Sequence, residues 1–263
     1  MSALSLVYPP APLRAVLWRE LHGAVSSRYF QVFCALSAIG GIAAVAIAGD
    51  AGLFILQLAL YFVSLFALLL GVNSARAESE EWPLLFAQPV ARSAYLLGKF
   101  LALTLIFASA LLLLFLPAFF ASPSPAPLVS LYFYTLELAA FFASVGLAVG
   151  YFARERIQGL ILALTVWLFL LVGFDLIALL GARWSTLQEF PDGWLALLML
   201  NPLDAFRVHA LFSMEQIPAE LAGKTALAGW WIEHAGLWFG LLAPAWITAF
   251  LWNTSRHLAR WED

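Results

Sequence analysis

Residues 160–174 read LILALTVWLFLLVGF, and this run of fifteen residues without a charged side chain decides the fold class. Similar runs recur along the chain, in which 63% of the 263 residues are hydrophobic and 11% are charged. Soluble domains carry about 25% charged residues, so most of this chain is predicted to lie in lipid. A transmembrane β-barrel would need short alternating segments. The continuous apolar runs therefore predict an all-α polytopic membrane protein.

Six apolar stretches are long enough to cross a hydrocarbon layer about 30 Å thick, at roughly 20 residues per span. An amphipathic segment at 12–26 precedes them and predicts an elbow helix that lies in the membrane interface. The short connections leave no room for a separate soluble domain, so residues 1–263 are predicted to form a single transmembrane domain. The predicted spans are residues 29–48, 52–73, 99–121, 129–152, 159–181 and 229–252.

The basic residues divide unevenly between the two sides that six spans define. Cytoplasmic loops of membrane proteins are enriched in Lys and Arg, so the side with more of them is predicted to be cytoplasmic, together with both termini. The other side carries Arg183, Arg207 and Lys224. The predicted cytoplasmic set of ten comprises Arg14, Arg19, Arg28, Arg76, Arg92, Lys99, Arg154, Arg156, Arg256 and Arg260.

Two predicted connections are long enough to do more than join spans. The cytoplasmic segment 76–98 mixes acidic, aromatic and basic residues and predicts a short amphipathic helix, a proline break and a second helix. The periplasmic segment 182–228 contains WLALLMLNPLDAFRVHALF, whose apolar run is too short to span the membrane but is typical of an interfacial or re-entrant helix. Within it, Asn201-Pro202 favours a turn, and Asp204 is placed to cap the helix that follows.

The sequence contains no pattern typical of an enzyme active site or a metal site. Cys34 is the only cysteine, and the four histidines are widely scattered. Gly223-Lys224-Thr225 resembles the end of a phosphate-binding loop, but Pro218 stands where that loop requires a glycine. We therefore expect this chain to bind no metal, cofactor or nucleic acid, and any ATP hydrolysis to come from another subunit.

Three carboxylates, Glu137, Asp175 and Glu233, fall within or near the predicted spans. A carboxylate in lipid is costly, so each is expected to face another helix or a wet cavity, or to be protonated. Glu137 and Asp175 are the candidates for a translocation path or proton relay. Interhelical hydrogen bonding or interfacial placement without a transport role stays open for all three. An ion-coupled carrier also stays open, although no internal repeat is evident.

The amphipathic helix contains Arg19-Glu20-Leu21, and the cytoplasmic segment runs through an acidic stretch into P-V-A-R and G-K-F. This order resembles the ABC-2 type permeases, whose members carry an R/K-E-L elbow, an acidic segment, and P-x-x-R and G-K-F before the third span. The residues that carry the resemblance are Arg19, Glu20, Leu21, Glu78, Glu80, Glu81, Pro89, Arg92, Gly98, Lys99 and Phe100.

The resemblance implies a type V exporter in the bacterial inner membrane. In such exporters two six-span subunits pair with two soluble ATPases, and these partners bind the ATP and Mg²⁺. It also implies that the acidic segment docks into a groove on the ATPase, although a merely solvated loop stays open as an alternative. The residues implied in coupling are Glu78, Glu80, Glu81, Trp82 and Arg92.

The second half of the chain contains F-D-L at 174–176 and then L-N-P-x-D-x-x-R, with Asn201, Pro202, Asp204 and Arg207. This pair of patterns is most similar to the NosY-like subgroup of the family, which serves the maturation of nitrous oxide reductase. That similarity implies a sulfur-containing cargo for copper-sulfide cluster assembly, a NosF-like ATPase and a periplasmic NosD-like β-helix protein. An exporter of lipid, drug or polysaccharide and a membrane-embedded enzyme are the alternatives.

Overall fold

The computed structural model describes residues 11–47, 50–77, 91–181, 191–214 and 226–260. Within these ranges every regular element is a helix, so the all-α prediction is confirmed. Among the described residues six helices, α2 to α6 and α10, are long and apolar enough to cross a membrane. The helices are α1 Ala11–Ser26, α2 Arg28–Ala46, α3 Ala51–Arg76, α4 Arg92–Ala121, α5 Ala126–Phe152, α6 Arg156–Gly181, α7 Pro191–Met199, α8 Pro202–Ser213, α9 Ala226–Glu233 and α10 Ala235–Ala259.

The bounds of the last span differ from the prediction. Residues 229–252 were expected to form one helix, but the chain breaks at His234, and α10 runs from 235 to 259. The His234 Nδ1 lies 3.0 Å from the carbonyl oxygen of Trp230, and the two rings stack. The same carbonyl also accepts the His234 backbone N–H at 3.0 Å, and the His234 backbone leaves the helical region, with φ −113° and ψ 18°, although no glycine or proline marks the break. Glu233 is exposed at the end of α9.

Polar side chains fix two of the helix starts. The Asp50 carboxylate accepts a hydrogen bond from the backbone N–H of Leu53 at 3.1 Å and caps α3. Asn201 caps α8 in the same way, through Leu203 N–H, with Pro202 at the first helical position. The prediction that Asp204 caps α8 is therefore wrong, because Asp204 lies inside the first turn.

The centre of the bundle is a close contact between α3 and α5 through small residues. A Cβ added to Gly71 would lie 2.6 Å from the Ala143 carbonyl oxygen, and one added to Gly146 would overlap the Leu68 carbonyl oxygen. Gly150 lies against the Ala75 side chain in the same seam. Glycines allow helix backbones to approach this closely, and in lipid such packing is a main source of helix association.

The bundle has two distinct ends. At the first, the α1 end, α1 lies against the start of α4, and a Cβ on Gly98 would lie 2.8 Å from the Val16 side chain. At the second, the α8 end, the indoles of Trp238 and Trp246 donate hydrogen bonds to the carbonyls of Met199 and Leu200 and fix the α7–α8 connection against α10. All ten basic residues of the predicted cytoplasmic set belong to the α1 end. Of the other three, the described ranges include only Arg207, at the α8 end.

Candidate functional site

A polar cluster at the α8 end joins α8 to α6. The Asn201 amide donates one hydrogen bond to the Leu170 carbonyl at 2.8 Å and another to the Asp204 carboxylate at 2.6 Å. Leu170 lies in a π-helical turn, Phe169–Gly173, in the middle of α6. Such turns interrupt the regular i→i−4 ladder and recur at functional sites. One amide side chain thus caps α8, orients a buried carboxylate and holds the irregular turn of a spanning helix.

Arg207 completes this cluster from the next turn of α8. Its guanidinium lies 3.3 Å from the Asp204 carboxylate and 3.3 Å from the Asp175 carboxylate. Asp204 is buried and Asp175 is exposed on α6. The F-D-L and N-P-x-D-x-x-R patterns are therefore parts of one three-dimensional unit, the α8 cluster, made of Asp175, Asn201, Asp204 and Arg207.

A second polar unit at the α1 end joins α1, α3 and α4. The Lys99 ammonium lies 2.9 Å from the Glu20 carboxylate and donates a hydrogen bond to the Ser74 carbonyl at 3.1 Å. Lys99 is 1% exposed, so its charge lies inside the protein. Arg19 also reaches Glu20, at 3.2 Å, from a much more exposed position. The elbow pattern R-E-L and the span-start pattern G-K-F are thus joined by an ion pair, which the sequence did not predict.

The family model for the ABC-2 family transporter proteins matches residues 23–226, well over half of the chain. The chain belongs to the ABC-2 transporter family. It is accordingly a membrane permease subunit of an ABC transporter. No curated protein matches the sequence significantly.

The coupling residues predicted for this ABC-2 permease fall into two groups. Arg92 begins α4 and donates a hydrogen bond to the Leu258 carbonyl near the end of α10, which ties two spanning helices together. The other four, Glu78, Glu80, Glu81 and Trp82, lie outside the described residues. Helix α4 starts at 92 rather than 99, so the last part of the predicted segment 76–98 is the first two turns of a spanning helix.

Glu137 is not part of the α8 cluster. It is partly buried on α5, and no hydrogen bond or ion pair from the described residues reaches its carboxylate. One turn earlier, the Tyr134 ring lies 4.1 Å from the His209 ring, and both press against Gly236 at the start of α10. The structure therefore separates the two carboxylates that the sequence offered as one path: Asp175 pairs with a cation, and Glu137 lies beside an aromatic contact. Groups of histidine, cysteine and carboxylate able to hold a metal are absent from the described ranges.

Two titratable groups on α8 are perturbed in opposite directions. Burial raises the pKa of Asp204 to about 6, against the opposing influence of Arg207 and the Asn201 hydrogen bond, and the nearby Asp175 raises it further. Burial lowers the pKa of His209 to about 4. The His209 Nε2 is enclosed and has no hydrogen-bond partner among the described residues. Both groups are therefore neutral in the folded protein between about pH 4 and 6.

These shifts predict opposite slopes of stability against pH. Between about pH 4 and 6 the folded state keeps a proton on Asp204 that the unfolded state has lost, so this group lowers stability as pH rises. Over the same window the unfolded state carries a proton on His209 that the folded state lacks, so that group raises stability as pH rises. The slope of stability against pH should therefore be more positive in Asp204→Asn than in wild type, and more negative in His209→Gln.

Thermal unfolding of the purified permease in detergent at pH 4.5, 5.25 and 6 measures both slopes. The other titratable groups are common to the three proteins, so only differences from wild type are compared. Parallel profiles for all three would show that neither side chain changes its pKa on folding.

Proposed function

We propose that this ABC-2 permease is the membrane subunit of an ATP-driven exporter built from two copies of the chain and two soluble ATPases. Members of the family work with ATPase partners and dimerise, which supports this assembly. In the proposal the partners bind ATP and Mg²⁺ and the present chain does not hydrolyse nucleotide. The observation that carries the proposal is the family match over residues 23–226, on a bundle of six spanning helices.

In this proposal the α1 end faces the cytoplasm of a bacterium and the α8 end faces the periplasm. Concentration of ten basic residues at one end supports this orientation, because positive charge is retained on the cytoplasmic side of the inner membrane. Both termini then lie in the cytoplasm, and the acidic segment between α3 and α4 is presented to the ATPases.

The proposed mechanism uses α4 as the element that transmits motion. ATP binding draws the two ATPases together and displaces the coupling segment, and α4 follows because it is a continuous helix of 30 residues whose first two turns are the last part of that segment. Lys99 attaches α4 to the elbow helix, and Arg92 attaches it to α10. Such coupling needs an element with two arrangements that the nucleotide biases. We propose that the contact between α6 and α8 in the α8 cluster opens and closes as that element.

We further propose that the cargo is a sulfur-containing precursor for the copper-sulfide cluster of nitrous oxide reductase, delivered to a β-helix protein at the α8 end. This cargo is supported by the resemblance of the F-D-L and N-P-x-D-x-x-R patterns to those of NosY-like permeases. The two patterns also contact each other in the α8 cluster. Deletion of the gene in a denitrifying host should leave nitrous oxide reductase without its sulfide-bridged copper cluster. A normal copper cluster would exclude this cargo and would favour export of a lipid, a drug or a polysaccharide.

Charge reversal in the acidic segment tests the coupling assignment. Glu80→Lys together with Glu81→Lys should leave membrane insertion intact but remove most of the ATPase that co-purifies in mild detergent, because a basic segment no longer matches the groove that it enters. The matched control is Glu155→Lys, an exposed carboxylate at the same end of the bundle.

The mass of the wild-type complex gives the second readout of that experiment. Two permease chains and two ATPases are expected. A chain that purifies alone would exclude the exporter, and undiminished association of the double variant would exclude this segment as the docking element.

A further inference from the structure

A cavity of about 530 Å³ opens at the α1 end between α1, α2, α3 and α4. Its size lies in the range of about 300–1,000 Å³ typical of small-molecule sites. The described lining includes four cationic side chains and a single carboxylate, Glu20. The cationic residues are Arg19, Arg76, Lys99 and Arg156. The cavity therefore favours an anionic ligand.

The cavity changes from polar to apolar with depth. Along α3 its lining passes from Arg76 back to Leu70, and along α4 from Lys99 forward to Ile106. At 1.5 Å per residue these stretches cover about 9 to 10 Å of the membrane depth. Arginines thus lie toward the α1 end of the cavity, and leucine and isoleucine lie toward the bundle centre. A water-soluble anion would leave the apolar part of the cavity unfilled, whereas the acyl chains of a lipid would occupy it.

Part of the cationic lining is already positioned by the protein. The Arg156 guanidinium donates hydrogen bonds to the Asn73 side-chain oxygen at 3.0 Å and to the Tyr29 hydroxyl at 3.4 Å, so it bridges α6, α3 and α2. Lys99 is enclosed and held by Glu20 and Ser74. A ligand phosphate would therefore meet an Arg156 guanidinium whose side chain is largely ordered in advance, close to the enclosed charge of Lys99, which lowers the entropic cost of binding.

We infer that this cavity binds the phosphate headgroup of an anionic phospholipid, with the first part of its acyl chains along Leu70, Leu103 and Ile106. Basic pockets between spanning helices are known to take such headgroups. The bound lipid would join the elbow helix to α3 and α4, the elements beside the proposed coupling segment. Lipid binding in this cavity does not depend on which cargo the permease exports.

Native mass spectrometry of the delipidated full chain tests this inference, by titration with phosphatidylglycerol and with phosphatidylcholine of the same chain length. We expect the wild type to bind phosphatidylglycerol at least about tenfold more tightly, and Arg156→Gln to lose about fivefold in that affinity, as for one cation near an anionic headgroup. Arg154→Gln is the matched control, because it removes the same charge two residues away, outside the cavity lining.

A second variant separates the lipid from a free phosphate compound. Gly23 lines the cavity on α1 and a Cβ added there meets no atom within 4 Å, so Gly23→Leu should fill part of the cavity volume and reduce phosphatidylglycerol binding without changing any charge. If Arg156→Gln does not fold, this cavity-filling variant tests the site in its place. Glycerol 3-phosphate, as the soluble probe, should not displace the lipid at equal concentration. Equal binding of the two lipids, equal losses in the Arg154 and Arg156 variants, full retention of phosphatidylglycerol binding by Gly23→Leu, or efficient displacement by glycerol 3-phosphate would each overturn the assignment.

Discussion

Gly146→Ala is expected to abolish stable folding of the permease. The new Cβ would overlap the Leu68 carbonyl oxygen, and Gly71 Cα lies 3.0 Å from the same position. Because both neighbours are backbone atoms of α3, no side-chain rotation relieves the overlap, and α3 and α5 must separate. Overpacking of a tight core costs about 1–3 kcal/mol and sometimes more, and we expect this site to exceed that range. Size-exclusion chromatography and thermal unfolding in detergent measure the loss.

Gly240→Ala is the matched control for that substitution. Gly240 also lies in a spanning helix, α10, but a Cβ there meets no atom within 4 Å. Alanine is favoured over glycine in a helix by about 1 kcal/mol, so this variant should be as stable as wild type or slightly more so. Equal stability of Gly146→Ala and Gly240→Ala would show that α3 and α5 are not in backbone contact.

Hydropathy predicted the spanning helices because crossing a membrane requires long apolar helices whatever the tertiary packing. The error at residues 229–252, where one helix was predicted across a break, has the same origin. Trp230, Trp231 and Ile232 continue the apolar pattern into α10, so composition shows no boundary there. The break at His234 is a departure of one residue's backbone from helical angles, which a hydropathy profile does not contain.

The sequence predicted which residues belong to the candidate site, but not how they contact one another. Asp175, Asn201, Asp204 and Arg207 were chosen for their patterns, yet their contacts depend on how α8 docks against α6. Glu137 and Asp175 were grouped because both are carboxylates in apolar segments, and the structure gives them different surroundings. Sequence shows that a charge in lipid needs a partner, whereas only the packing of the helices shows which partner it has.

Two further features of the fold have signals in the sequence besides its hydropathy. Gly146 and Gly150 form a G-x-x-x-G pattern in an apolar helix, which is typical of a close helix contact. Lys99 stands seven residues inside α4, where an ammonium without a carboxylate nearby would be expensive. Glu20 is 79 positions away in the sequence, so its choice as the partner follows only from the fold.

Glu20→Gln is expected to be the most destabilising single change at the α1 end. It removes the carboxylate 2.9 Å from the Lys99 ammonium while that ammonium stays 1% exposed. Breaking a buried ion pair from one side costs about 3–5 kcal/mol, because a charge is left in a low-dielectric site. The midpoint of thermal unfolding in detergent, followed by size-exclusion chromatography, should therefore fall sharply. Since Lys99 attaches α4 to α1, association with the proposed ATPase partner should fall with it.

The double variant Glu20→Gln/Lys99→Met distinguishes loss of charge balance from loss of shape. Replacing both members of a buried pair by neutral side chains of similar volume is often neutral or stabilising, so the double variant should recover most of the lost stability. Arg19→Gln is the control, because its contact with Glu20 is 44% exposed on the arginine side and such pairs contribute at most about 1 kcal/mol. A double variant as unstable as Glu20→Gln would mean that Glu20 stabilises the α1 end through contacts other than Lys99. The ion pair would then result from the position of α1 and would not be what holds α1 in place.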